Sequence, residues 1–173
     1  MFNCFLKRAA ILIAFAFAAA SFADAQIEKQ VATIRADVNL INKSAAKYTK
    51  QKRDVEDISL EGTEATYFLS GKDLKKIVAK MYGESFRATA ELYYSGEELI
   101  FAYDKTERYA GHFASNPPPK IAKVIETRIY FSNGEAIRVM DGKKVVEAES
   151  KESLAEVEAV NDLSSKLKAA LDH

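Results

Sequence analysis

Three aromatic pairs in this chain each run into a glycine turn: Tyr67-Phe68-Leu69-Ser70-Gly71, Tyr93-Tyr94-Ser95-Gly96 and Tyr130-Phe131-Ser132-Asn133-Gly134. Each turn is followed by residues at strand spacing. A glycine accepts the positive φ that tight hairpin turns require, and Asn-Gly between two strand patterns is the strongest short-range hairpin signal. The repeat therefore predicts a meander of β-hairpins. Adjacent strand residues point to opposite faces, so each pair sends one ring to each side of the sheet.

The strand patterns cover Glu64–Leu69, Leu74–Tyr82, Phe86–Tyr94, Leu99–Tyr109, Lys123–Phe131 and Glu135–Met140. A short strand is also expected in the connector, at Val55–Leu60. Asp141-Gly142 offers a last turn into Lys144–Glu147. The segment Gly111–Lys120 contains three consecutive prolines, which cannot donate to a ladder, and reads as an exposed loop.

Helical spacing brackets the strands. Ile27, Val31, Ile34, Val38, Ile41, Ala45 and Tyr48 alternate steps of four and three, which predicts a helix from Gln26 to about Lys52. It can lie across the sheet, or its strict heptad can make a homodimer through this N-terminal helix. Ser153 and Glu156 form a capping box, opening a second helix to about Leu171 with Leu154, Val157, Val160, Leu163 and Leu167 on one side. The expected class is α+β, an antiparallel meander of about six strands with a long N-terminal and a C-terminal helix.

Alternation separates the members of each pair. Phe86, Ala88, Ala90, Leu92 and Tyr94 share an apolar face, while Arg87, Thr89, Glu91 and Tyr93 share the other. By the same logic Phe131 points inward and Tyr130 outward. Analogy places Phe68 in and Tyr67 out. Tyr67, Tyr93 and Tyr130 would then form an outer stripe flanked by Arg87 and Arg128, the candidate partner-binding residues. Tyrosine suits contact surfaces, because its ring is rigid and its hydroxyl tolerates water. The competing reading has these rings in cross-strand packing or beneath a helix.

Lys7 and Arg8 precede the apolar run Ala9–Ala20, and Ala23-Asp24-Ala25 is an A-x-A cleavage site. Residues 1–25 therefore read as a cleavable signal peptide and 26–173 as a single domain, periplasmic or secreted. The run is shorter than the roughly 20 residues of a spanning helix, so no stable membrane span is expected after cleavage. The one cysteine, Cys4, leaves with the signal, so the domain must rest on its core without disulfides. Twenty-five basic residues balance twenty-five acidic ones. That balance argues against nucleic acid as a partner.

Catalytic patterns are missing. Two histidines, His112 and His173, give no metal-ligand spacing. No serine sits in a G-x-S-x-G elbow, and no glycine loop cradles phosphate. No catalytic residue, metal or cofactor is expected, and the chain reads as non-enzymatic. A carboxylate pair in a cleft with one raised pKa would reopen that question. Lys72, Lys75, Lys76 and Lys80 read as solvated charges that keep a strand edge soluble, or as a contact for an anionic surface.

The stretches "GKDLKKIVAKMYGE", "AELYYSGEELIFAYDK" and "IETRIYFSNGEAIRV" resemble exported bacterial proteins of unknown function, and the aromatic hairpins are similar to MORN-like repeats. The resemblance covers Asp54–Asp141 and implies a fold, with no catalytic residues to carry over. The function expected is an exported binding or interaction protein whose partner is a protein or an envelope component. The alternative is a periplasmic carrier of a small apolar ligand, held between helix and curved sheet by Phe86, Leu92, Phe101, Ile125 and Ile129.

Overall fold

A computed structural model describes residues 3–111, 119–147 and 149–171. The elements are α1 (Asn3–Ser44), a 3-10 turn (Ala45–Lys47), β1 (Thr49–Val55), β2 (Thr63–Ser70), β3 (Asp73–Gly83), β4 (Phe86–Ser95), β5 (Glu98–Tyr109), β6 (Ile121–Ser132), β7 (Glu135–Asp141), β8 (Lys144–Val146) and α2 (Lys151–Leu171). The strands form one antiparallel sheet in the order β1 to β8. The class is the α+β meander expected, with eight strands rather than about six.

The extra strands lie at the sheet's two margins. β1 occupies the segment predicted to end the first helix. Lys50, Lys52 and Arg53 give this strand a charged edge, a common device against edge-to-edge association. Pairing with β2, from Thr49↔Leu69 to Val55↔Thr63, overrides the helical spacing past Ile41. The short strand expected at Val55–Leu60 does not form. The chain bends there through Asp57, at φ 60°. Residues 112–118 of the proline loop, His112, Pro117 and Pro118 among them, lie outside the described residues, as does His173; Pro119 and Lys120 lead into β6 without regular structure.

Each face of the sheet carries one helix. Val31, Ile34 and Ile41 of α1 pack on Tyr93, Phe101 and Tyr130. The apolar stripe of α1, which a coiled coil would have used, is occupied by the sheet. Val160 and Leu167 of α2 pack on the opposite face, against Tyr67, Leu92, Tyr94, Ile129 and Phe131. Ser150 caps α2, its Oγ accepting from the Ser153 N–H at 3.2 Å. The expected Ser153–Glu156 box does not form. Leu154, assigned to the packed stripe, is exposed.

Each of the three aromatic hairpins carries one extra residue on its second strand, just past the turn. Register shifts at Phe68/Leu69, Tyr93/Tyr94 and Tyr130/Phe131 leave Lys75, Ile100 and Ile137 as the extra residues. Such bulges twist a strand locally and re-aim side chains. The equivalent pairs are therefore Phe68-Leu69, Tyr93-Tyr94 and Tyr130-Phe131, one place later in the first hairpin than the aromatic spelling suggests.

Candidate functional site

The outer tyrosine stripe is not a surface. Tyr67, Tyr93 and Tyr130 are 0 %, 2 % and 4 % exposed. Tyr67 lies on the α2 side with Tyr94 and Phe131, because it pairs with Ile77, which pairs with Leu92. Phe68, expected inside, lies on the α1 side, where Lys50 sits over its ring. Tyr93 and Tyr130 do point to the face opposite Tyr94, but α1 covers them. The Phe101 ring lies between them, with centroids at 5.6 Å and 4.9 Å. Arg35 Nε of α1 donates to the Tyr130 hydroxyl at 3.1 Å.

The two flanking arginines lie on the part of the α1-side face that the helix leaves open, both in ion pairs. Arg87 bonds Glu107, which also holds Lys105. Arg128 bonds Glu126 at 2.9 Å and the Gly142 carbonyl at 2.7 Å, and its guanidinium stacks over Tyr103. They stand on β4 and β6 and do not converge on the tyrosines. Lys76, read as a solvated charge, is buried under α1. Its Nζ donates to Glu91 Oε2 at 2.7 Å, to the Tyr93 hydroxyl at 2.9 Å and to Asn42 Oδ1 at 3.1 Å. The Tyr93 hydroxyl donates in turn to Glu91. Burial pushes the Glu91 carboxyl up, and the bonds from Lys76 and Tyr93 outweigh it and hold the group below its ordinary range.

Unfilled space lies on the other face. Tyr67 OH donates to the Leu167 carbonyl at 2.8 Å, and Tyr94 OH bonds Ser164 Oγ at 2.9 Å. These two large side chains prop up the C-terminal half of α2. Under its middle the sheet presents small residues, Ala90 and Ala102. The result is a cavity of about 330 Å³, floored by Met81, Ala90, Leu92 and Ala102 and walled by Val160 and Leu163. A size of this order is at the lower end of small-molecule sites, which are typically concave and mostly apolar. Of the five residues expected to line a ligand cavity, Leu92 alone lines this one, while Ile125 lines a smaller space of about 180 Å³ beside it and Phe86 the depression along the connector. Phe101 is on the other face, packed under α1. A wider depression of about 940 Å³ follows the connector 54–64, but it is lined largely by exposed polar chain.

The mouth of the cavity is acidic. Asp104, Glu156 and Asp162 line it with Lys166. Lys166 is committed to Asp162 at 2.9 Å. Asp104 accepts from Thr106 Oγ1 at 2.8 Å, and among the described residues neither Asp104 nor Glu156 has a basic partner. Burial raises the Asp104 pKa against the Thr106 bond. Desolvation raises that of Glu156, and the charges of Asp104, Glu152 and Asp141 add to it. Among the described residues no three acidic or histidine side chains are placed to hold a metal ion.

Comparison with family models, curated proteins and solved structures finds no match. No helix among the described residues is long and apolar enough to cross a membrane.

Proposed function

We propose that this protein is an exported, non-enzymatic binding protein that carries a small ligand with an apolar body between α2 and the sheet. The observation that carries the reading is the cavity floored by Met81, Ala90, Leu92 and Ala102 beneath Val160 and Leu163. Export is supported by Lys7-Arg8, the apolar run and Ala23-Asp24-Ala25. A partner surface built on Tyr67, Tyr93 and Tyr130 loses its support, since those rings are enclosed. The raised carboxyls, Asp104 and Glu156, are the pair that could have argued for acid–base catalysis. Asp104 holds the Thr106 hydroxyl, but among the described residues neither carboxyl has a basic partner to complete an acid–base set, so binding is the better use of them.

Native mass spectrometry of the protein isolated from its own envelope tests the reading. It should release a small molecule from the wild type and none from Ala159→Trp, whose exposed position on α2 lines the cavity and would block it. A ligand retained equally by a folded Ala159→Trp protein would place binding elsewhere and overturn the proposal.

A further inference from the structure

We infer that β1 is a docking edge: it takes an acidic, extended segment of another polypeptide as an added strand, with carboxylates opposite Lys50 and Lys52. This edge is separate from the cavity beneath α2, since none of its residues lines that space. β1 is the outermost strand, and only its β2 side is paired. Among the described residues no backbone group of Thr49–Val55 bonds to another backbone group outside that ladder. Natural sheets blunt such an edge by shortness, proline, a bulge or charge. β1 runs seven residues in unbroken register, from Thr49↔Leu69 to Val55↔Thr63, and contains no proline. The opposite edge, β8, has only three residues. Charge is therefore the one guard that β1 carries, and an acidic strand cancels it.

That charge is concentrated and unpaired. From Lys43 to Arg53 the chain holds five cations and no carboxylate, although its charges balance as a whole. Lys43, Lys47, Lys50, Lys52 and Arg53 are all exposed. Among the described residues none of them stands in an ion pair. Lys50 pairs with Phe68 and Lys52 with Thr66, which puts both ammonium groups on the α1 side of the sheet. Residues directly opposite on neighbouring strands have Cβ atoms about 4.5–5.5 Å apart. An added strand thus brings two of its residues, separated by one, within reach of Lys50 and Lys52. Asp54 follows on the same face, paired with Glu64, so the acidic pattern ends after two positions.

A second copy of this chain is the poorer occupant. In the central antiparallel register of β1 against itself, Lys50 faces Lys52, and like charges directly opposite are destabilising. The same cations therefore reject the chain itself and select an acidic partner. An anionic lipid surface would meet the cations but leave the open ladder groups of β1 without partners. Strand addition uses both, the main chain supplying affinity and the side chains specificity.

The protein is titrated with a blocked peptide, matched in length to β1, in which two glutamates alternate with valine. Counterparts carry glutamine or lysine for glutamate, and a fourth peptide keeps the glutamates but has proline for valine, which removes its ladder donors. Amide shifts and amide exchange are followed at low salt. The glutamate peptide should shift and protect Thr49–Val55 and bind at least about tenfold tighter than the glutamine peptide. The lysine and proline peptides should not bind. Lys50→Glu/Lys52→Glu, at exposed positions, should reverse the preference and take the lysine peptide, which also shows that the variant folds. No binding of the glutamate peptide by the folded wild type overturns the proposal, and equal binding of the glutamine peptide overturns the charge selection. Equal binding of the proline peptide, or shifts spread over other basic surfaces, overturns strand addition. Protection of β1 by self-association, or adsorption to phosphatidylglycerol vesicles without peptide binding, assigns the edge to another occupant and also overturns it.

Discussion

Glu91→Gln isolates the value of the buried charge cluster beneath α1. The Lys76 side chain is 10 % exposed and that of Glu91 30 %. An exposed ion pair contributes ~0–1 kcal/mol, whereas removing one partner of a buried pair costs ~3–5 kcal/mol, because the other charge is left stranded. The partial access of Glu91 places this pair between the limits, and the substitution should cost about 2–3 kcal/mol. Lys76→Met should cost less, since the carboxylate it strands can reach water and keeps the Tyr93 hydroxyl bond. The double variant Lys76→Met/Glu91→Leu should recover most of the loss, an apolar pair of similar volume being close to neutral. Urea unfolding followed by circular dichroism reads this out. With m of ~1–3 kcal/mol/M for a small domain, a loss of 2 kcal/mol lowers the midpoint by about 1 M. The acid limb is a second readout. The Glu91 pKa is depressed below its ordinary 4.5, so this group contributes stability that is present above that value and is lost as pH falls through the depressed pKa. Glu91→Gln should therefore lose less stability than the wild type below about pH 4.5. A double variant as unstable as the sum of the two singles, or a Glu91→Gln midpoint equal to wild type, would refute the reasoning.

Tyr130→Ser, a change that would be harmless on an exposed stripe, should cost about 3–4 kcal/mol, since it empties a buried ring site against Phe101 and Arg35; thermal unfolding decides between the two. Tyr67→Phe should cost about 1 kcal/mol through the lost bond to the Leu167 carbonyl, and amide exchange should accelerate in the last turns of α2. Ser153→Ala should leave the free protein as stable or up to about 1 kcal/mol more stable, because the hydroxyl it removes has no partner, and a clear drop in denaturation midpoint would show the hydroxyl is satisfied. Asp104 has its pKa raised above the ordinary 3.8, so it binds more protons folded than unfolded, and its share of stability falls as pH rises through the raised pKa. The midpoint difference between Asp104→Asn and wild type should accordingly shift in the variant's favour as pH is raised from 3 to 7, and a constant difference would contradict the shift.

The hairpins were legible because glycine turns and alternation are local. Gly71, Gly96 and Asn133-Gly134 sit at positive φ where the spelling put them. The register of the first hairpin was not legible from its aromatics. Aligning Tyr67-Phe68 with Tyr93-Tyr94 takes ring for ring, yet the turns are closed by Ser70, Ser95 and Ser132, paired with Asp73, Glu98 and Glu135. Counting back from those serines matches Leu69 with Tyr94 and Phe131. A shift of one residue exchanges the faces of a strand, which is how Tyr67 came to be assigned to the wrong side. The second covered face also left a mark in the sequence. Leu99-Ile100-Phe101-Ala102 is continuously apolar, as a strand buried on both sides is. The outer residues Arg87, Thr89 and Glu91 hid this in β4, because α1 crosses only the end of the strand that carries Tyr93.

The cavity was not legible, because a void is a property of two elements at once. Ala90 and Ala102 read as small core residues on any sheet. They become a floor only because Tyr67 and Tyr94 reach the Leu167 carbonyl and Ser164 and hold α2 away from the alanines. The docking of α2 also brings two acids together. Asp104 follows Ala102 on the α2 side of β5, paired with Ala90, and Glu156 lies five residues past the start of α2, fifty-two positions away in the chain, and only the docking of α2 brings them to one opening. Spacing rules cannot see such a pair. An aspartate on the apolar face of a strand, where Ala88, Ala90 and Leu92 lead one to expect hydrocarbon, is the one local anomaly that points to it. Burial there raises its pKa despite the bond from Thr106, so the ionised carboxylate costs stability where it stands.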